Sequence, residues 1–275
     1  MIAISIDGAL VAPEQASISV LDRGLLHGDG CFEVLRTWDG APRDLPAHLD
    51  RLYETARFLE LAAIERPRLA EAVERTLAAA GPGEHRIRIV LTRGPGQLAA
   101  RLGALGPGRA IVIVEPLPPQ PAALTLAVVD WPLPARPQRG HKTLAYLDAL
   151  IARELARAAG ADEAIRLDAG GDAVEGATCN LFAVAGGEVV TPPVDRGALP
   201  GIVRARVLAI CAQGGLAARV RPLPLRELYA AQEVFVTSSL RGVVPVTRID
   251  RTPFATGAVT ERIAAAYVAA MRAGA

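Results

Sequence analysis

A single lysine stands among the 275 residues of this chain: Lys142, in the stretch RGHKTLAYLDAL that runs from 139 to 150. The other 29 basic side chains are arginine. Where only a positive charge is needed, arginine serves as well, and a composition rich in Ala, Arg, Gly and Pro would drift to it. A lysine that persists does something arginine cannot. Its amine can lose a proton near neutrality, attack a carbonyl and form a Schiff base, whereas a guanidinium stays protonated. Lys142 follows a loop marked by Pro and Gly, a setting where function concentrates.

Schiff-base chemistry on a pyridoxal phosphate cofactor needs further parts: a carboxylate for the pyridine nitrogen, an anion site for the phosphate and a substrate pocket. AVEGATCNLF places Glu175 in a glycine-flanked strand turn. ALPGIVRARVL places Pro200 and Gly201 at a helix start, where the backbone N–H groups of Ile202 and Val203 would suit a phosphate. VTSSLRG adds the hydroxyls of Ser238 and Ser239 and the guanidinium of Arg241. Each segment alone also reads as an ordinary turn or helix entry.

The elements that must position these residues are mixed. AISIDGALV reads as a hairpin on an Asp-Gly turn, and CFEVLRTWDG as a second strand. LPAHLDRLYETARFLEL and RLAEAVERTLAAAG carry apolar residues at helical spacing. The strands RIRIVLT and AIVIVE flank a glycine-rich loop. Pro-rich sequence within EPLPPQPAA then suggests a stiff linker at 117–123, dividing a smaller N-terminal domain at 1–116 from a larger cofactor-binding domain at 124–275. Beyond it come the strand LTLAVVD, a helix over TLAYLDALIARELARAAG, a meander from 163 to 191, the helix GIVRARVLAICAQGG, the strands EVFVTSS and VVPVTRID, and a terminal helix. The order is not a regular βαβ alternation, so the expected class is α+β with two domains.

Composition narrows the function. Hydrophobic residues make up 51% and charged residues 21%, a globular balance. A net charge of +1 offers no strong field to nucleic acid or an anionic membrane. No run approaches the length of a membrane span, and MIAISIDGALVAPEQ lacks the basic start of a signal peptide. Three widely separated cysteines, Cys31, Cys179 and Cys211, suit free thiols in a reducing cytoplasm. The histidines at 27, 48, 85 and 141 have no metal-ligand spacing, so no metal is expected. GPGQLAARLGALG has the wrong glycine spacing for a dinucleotide fingerprint.

Taken in order, HKTLAYLDALIARELARAAGADEAIRLD, VEGATCNLFAV, TPPVDRGALPGIVR and EVFVTSSLRGVVPV resemble the class IV aminotransferases, the fold-type IV pyridoxal-phosphate enzymes. The resemblance extends upstream through DRGLLHGDGCFEVLR and HLDRL and so covers nearly the whole chain. It implies a two-domain fold with the active site between the domains, a pyridoxal 5′-phosphate cofactor, and a homodimer with a shared active site. It implies Lys142 as the Schiff-base lysine and the base that moves the substrate α-proton, and Glu175 as partner of the pyridine nitrogen. Arg51 of HLDRL, the backbone of Gly201, Ile202 and Val203, and the hydroxyls of Ser238 and Ser239 are implied for the phosphate, and Tyr146 for the cofactor ring. Val203 replaces a threonine common in relatives, and Ala145 a common asparagine.

Within the family, the Lys142-to-Tyr146 spacing is similar to that of D-amino-acid transaminases and aminodeoxychorismate lyases. The usual carboxylate clamp of the former is missing: no Arg-x-His follows LTRG, and Phe32 stands where a tyrosine is usual. The remaining candidates for a substrate carboxylate are Arg241 with Arg23, then Arg93 and Arg101. The expected activity is transamination between a D-amino acid, or an (R)-primary amine, and a keto acid such as pyruvate or 2-oxoglutarate. The alternative is a lyase forming 4-aminobenzoate and pyruvate, which shares GDGCF. An L-branched-chain aminotransferase and a non-enzymatic binding module rank lower.

Overall fold

The computed structural model describes residues 1–96, 108–131, 133 and 140–274. The chain forms two compact units, one of Met1–Pro119 with His141–Tyr146, the other of Gln120–Gly140 with Leu147–Ala275. The fold is the mixed α and β class that the sequence suggests. The expected linker 117–123 is divided between the two units, which meet at Pro119 and Gln120. Residues 141–146, which the sequence assigns to the C-terminal domain and to the start of a helix, belong to the first unit.

In the first unit, β1 (Ala3–Ile6) and β2 (Ala9–Val11) form the expected hairpin. Asp7 and Gly8 take φ of 53° and 86°, the pair of left-handed residues that matches a tight turn to strand twist. A short helix α1 (Arg23–His27) precedes β3 (Gly30–Arg36). Helices α2 (Leu45–Phe58) and α3 (Arg66–Ala80) follow, then β4 (His85–Thr92) and β5 (Arg109–Pro116). The sheet runs β2-β1-β5-β4-β3 and is antiparallel throughout. Alternation gives it two different faces. Leu35, Ile87, Ile89, Leu91, Val112 and Val114 are buried in one core with Leu49, Leu52, Leu69 and Val73 of the helices. Phe32, Val34, Arg36, Arg86 and Arg88 alternate with them and lie on the opposite face.

Lys142 enters this sheet as an added edge strand. Phe32 N–H donates to the Lys142 carbonyl at 3.0 Å, Leu144 N–H donates to the Gly30 carbonyl at 2.9 Å, and Cys31 pairs antiparallel with Thr143. Cross-strand partners share a face, so Thr143 joins Cys31 on the core side and Lys142 falls on the face of Phe32. The helix expected from TLAYLD therefore starts only at Leu147, because the edge of β3 takes the backbone groups of 142–144. Gly30 makes the approach possible. A Cβ there would overlap the Leu91 carbonyl oxygen and lie 2.6 Å from Leu144 Cδ1.

The core side of β3 also carries a charge. Glu33 is fully buried and accepts hydrogen bonds from Arg51 Nε at 2.7 Å and Nη2 at 2.8 Å, and from His48 Nδ1 at 2.7 Å. An unpaired carboxylate in such a place would cost several kcal/mol; this one ties α2 to the sheet.

In the second unit, β6 (Leu124–Val128), α4 (Leu147–Ala158), β7 (Glu163–Leu167), β8 (Asp172–Gly176), β9 (Asn180–Ala185) and β10 (Glu188–Thr191) are followed by α5 (Ile202–Gln213). Then come β11 (Ala218–Val220), β12 (Leu223–Pro224), α6 (Leu225–Tyr229), β13 (Glu233–Ser238), β14 (Gly242–Ile249), β15 (Thr252–Pro253) and α7 (Ala258–Ala273). The strands run β11-β10-β9-β13-β14-β6-β7-β8-β12, and an extra pairing of Glu175 with Asn180 joins β8 to β9. Six strands thereby close on themselves, which leaves β8 and β9 no open edge there. Leu126, Ile165, Leu181, Val236 and Val246 belong to the buried cluster of this sheet, while Phe182 stacks on Phe235 at 4.8 Å in a second layer with α5 and α7. No helix among the described residues is long and apolar enough to cross a membrane.

Two stability outcomes follow. Gly30→Ala should lower unfolding free energy by about 1–3 kcal/mol in denaturant melts, the range for overpacking, and should raise amide exchange at Phe32 and Leu144. Burial alone would push the Glu33 carboxyl up, but the bonds from Arg51 and His48 more than offset it, leaving it at about 2 against an ordinary 4.5. A carboxyl depressed in the folded state adds stability above its unfolded value and loses it as pH falls through the folded one. Melts between pH 5 and pH 2 should therefore fall more steeply for the wild type than for Glu33→Gln. Parallel curves would show that the cluster carries no such linkage.

Candidate active site

In the first unit the lone amine sits among rings. Lys142 Nζ is 4.6 Å from the centroid of Phe32 and 5.3 Å from that of Tyr146, and the two rings meet edge to face at 5.2 Å. Phe32 is almost fully buried, and Lys142 and Tyr146 are half-buried. His141, one residue before Lys142, stacks flat on Phe58 at the end of α2, 4.0 Å away.

One residue that the sequence reading missed completes this cluster. Arg88 of β4 is half-buried, with its guanidinium carbon 4.3 Å from the Phe32 centroid. The other arginines on this sheet face have carboxylates: Arg36 meets Glu84 at 3.7 Å, Arg86 meets Glu115 at 2.6 Å, and Arg109 pairs with Asp7. Arg88 has no such partner among the described residues, and burial draws its pKa down from the ordinary value, with Arg86 adding to the effect. The signal lay in RIRIVLT, where strict alternation puts Arg86 and Arg88 on the face away from the apolar core.

The arginines favoured from sequence are otherwise engaged. Arg93 donates to Asp29 at 2.8 Å and to the carbonyls of Leu59 and Glu60 at the end of α2. Arg23 donates to the same Asp29 oxygen at 3.0 Å. The two guanidinium groups outweigh burial, so the Asp29 carboxyl lies below its usual range. This cluster fastens α1 and α2 to β4, and a substrate carboxylate would have to displace Asp29. Arg101 lies outside the described residues. Arg51 is held by Glu33, which His48 also bonds.

In the second unit, Glu175 on β8 accepts a hydrogen bond from Leu199 N–H at 2.8 Å. Asn180, its partner across to β9, donates to the Leu199 carbonyl at 2.8 Å. These bonds hold the loop that ends at Gly201, the N-cap of α5. Gly201 has an ordinary φ of −68°, and its lack of a side chain is a matter of space: a Cβ would overlap Asn180 Oδ1. No side chain caps α5, so its first-turn N–H groups, those of Ile202 and Val203 included, form an anion-seeking end. Ser238 ends β13, and Ser239 is half-buried in the following turn. Arg241 lies 3.4 Å from the fully buried Glu163, which also accepts bonds from Thr178 and Ala177. Arg241 therefore has a carboxylate partner within its own unit. No group of three or more His, Cys, Asp or Glu able to hold a metal occurs among the described residues.

The amine set against aromatic rings, the carboxylate fixed by a backbone N–H and the uncapped helix end are the donor types of one known family. The family model for amino-transferase class IV matches residues 30–249. A protein of Methanocaldococcus jannaschii described as a putative branched-chain-amino-acid aminotransferase is 36% identical over 253 residues, 90% of this chain and 88% of its own length. A D-alanine aminotransferase of Bacillus licheniformis is 28% identical over 269 residues, 92% of this chain and 90% of its own. Among solved structures, the branched-chain aminotransferase from Thermoproteus uzoniensis with norvaline superposes with a TM-score of 0.93 at 31% identity. The match covers 99% of this chain and 95% of that one. This chain belongs to the class IV amino-transferases.

Proposed function

We propose that this enzyme moves the amino group of an aliphatic L-amino acid, the branched-chain ones included, to a 2-keto acid such as 2-oxoglutarate. It is a pyridoxal 5′-phosphate-dependent aminotransferase of fold type IV. The observation that carries the substrate class is the pairing of Lys142 and Arg88 on one aromatic ring, at 4.6 and 4.3 Å from its centroid. An amine that handles the amino group and an arginine without a carboxylate partner lie about one small molecule apart. A substrate with both an amino group and a carboxylate matches them, and Phe32 and Tyr146 offer apolar surface to an aliphatic side chain.

The donor set fits the cofactor. When bound, pyridoxal phosphate supplies the carbonyl that captures the amino group and the pyridinium that accepts electrons. Lys142 is the amine for that carbonyl and, once displaced by substrate, takes the α-proton and returns it. Glu175, fixed by Leu199 N–H, keeps a pyridine nitrogen protonated. The N–H groups of Ile202 and Val203, the close-packed Gly201 and the hydroxyls of Ser238 and Ser239 serve the phosphate, with Arg51 held rigid for it by Glu33. Tyr146 borders the amine.

This reading reverses the order expected from sequence. The branched-chain relatives support it, while D-amino-acid transamination is supported by the Bacillus licheniformis relative and the Lys142-to-Tyr146 spacing. An (R)-amine without a carboxylate would leave Arg88 unmatched. We also propose a homodimer with a shared active site, because Ile18, Val20, Leu21, Leu25 and Leu26 are all exposed within one short stretch. Buried free thiols at Cys31, Cys179 and Cys211 fit a reducing cytoplasm.

The test is the absorbance of the holoenzyme on addition of L-leucine, L-glutamate or D-alanine without keto acid. Loss of the Schiff-base band with the L-substrates supports the proposal. Loss with D-alanine alone returns the assignment to the D-enzymes, and a band that no amino acid discharges points to the lyase. Arg88→Met should lower kcat/KM for L-leucine by about 10- to 100-fold, the worth of one charge-assisted bond, and lower that for a simple primary amine far less.

A further inference from the structure

The loop that leads into α5 has two duties in the proposed function. Its Leu199 N–H holds Glu175, the carboxylate proposed for the pyridine nitrogen, and it ends at the N–H groups of Ile202 and Val203, proposed for the phosphate. Three residue steps take Leu199 to Ile202, a reach of no more than about 11 Å. A small rigid ring with a short phosphate arm has one separation between its two ends, so the loop must present its two binding points at that separation.

Asn180 is placed to set it. The residue is buried, and its backbone is paired on both sides, with Glu175 of β8 and with Thr237 of β13, so it belongs to the closed part of the sheet. Its side chain reaches out of the sheet into the loop. Nδ2 donates to the Leu199 carbonyl at 2.8 Å, and Oδ1 lies so close to Gly201 that a Cβ there would overlap it. Leu199 is thereby held at both of its backbone groups, the N–H by Glu175 and the carbonyl by Asn180. The next residue, Pro200, has no N–H, so that carbonyl is the polar handle by which the peptide between them is tied to the sheet. The body of α5 is fixed by Val207 and Cys211 in the buried layer, while its first turn takes its orientation from the residues before it.

We infer that Asn180 is a positioning residue for the cofactor: through Leu199 and Gly201 it fixes the separation between the carboxylate at one end and the anion-seeking helix start at the other. This rests on the roles proposed for Glu175 and for the start of α5. With both points preset, capture of one end of the cofactor puts the other at high effective concentration. Without the Asn180 bond, residues 199–201 have more than one arrangement. Either half of the cofactor still selects one that suits it, whereas the intact cofactor needs the single arrangement that suits both.

The test uses the full chain, freed of cofactor with an amino donor and desalted. Calorimetry gives its Kd for pyridoxal, for inorganic phosphate and for pyridoxal phosphate. The product of the first two divided by the third is the effective concentration. Asn180→Ala, and Asn180→Leu, which keeps the bulk and loses the donor, should each lower it by about 10-fold, the worth of one hydrogen bond, and change the affinity for either half far less.

A general loosening of the unit would weaken all three affinities and leave the effective concentration where it was. That result overturns the inference, as does a variant indistinguishable from the wild type. If both Asn180 variants fail to fold, Gly201→Ala is read in the same way: its Cβ displaces the Asn180 amide, so the effective concentration should fall, and an unmoved value overturns the inference. A wild type that binds pyridoxal phosphate no more tightly than pyridoxal removes the phosphate assignment of α5 and the inference with it. A wild-type advantage that every folded variant keeps removes the inference alone.

Discussion

Three residues of strand pairing, 142–144 against 30–32, decide what the lone lysine can do. Side chains alternate along a strand, so the register that opposes Thr143 to Cys31 puts Lys142 on the face of Phe32. A slip of one residue would turn the amine toward the apolar core, where a charged form would be costly and no small molecule could reach it. The register is guarded on both sides. Thr143 packs with the buried Cys31, while Gly30 leaves room for Leu144 and Gly28 for Ala145, whose backbone would lie 3.1 Å from an added Cβ. The glycines of GDGCF are thus explained by how closely the lysine strand approaches.

The arginines of the first unit divide by what surrounds them. Arg93 places three nitrogens on Asp29 and two helix-end carbonyls, a planar fork that an ammonium could not reproduce. Arg51 meets Glu33 through two nitrogens in the same way. These are buried positions where the charge must never be lost, because neutralising one partner would strand the other. Arg88 differs. It is half-buried against a ring, with no carboxylate in ion-pair distance among the described residues.

Much of this was legible in the residues. The Asp-Gly hairpin, the helices over 45–58 and 66–80 and the strands 85–92 and 109–116 follow from period and turn chemistry alone. The motifs AVEGATCNLF and ALPGIVR did place Glu175 on a strand and Gly201 at a helix start. The start of the helix after Lys142 was not, because TLAYLD suits an edge strand or a helix equally, and the choice was made by β3, a partner more than a hundred residues earlier in sequence. The closing of β8 onto β9 is likewise a matter of register that no local pattern shows. For the carboxylate receptor, motif position pointed to Arg23, Arg93 and Arg241. Sequence could not show that Asp29 and Glu163 already face them, since an ion pair across many residues leaves no local pattern. Alternation in RIRIVLT did carry Arg88, the residue proposed instead, on the non-core face.

The scarcity of lysine now has a physical account. Arg51 and Arg93 are held where a fixed charge is an asset, and replacing either with lysine would lose fork geometry. Lys142 occupies the reverse case. It lies against two aromatic rings, and the Schiff-base role proposed for it needs an amine that can lose its proton, which a guanidinium cannot. An arginine at 142 would keep the strand, the register and the ring contacts and would lose only the ability to exchange a proton and attack a carbonyl. The role proposed for Lys142 is one that an arginine could not fill.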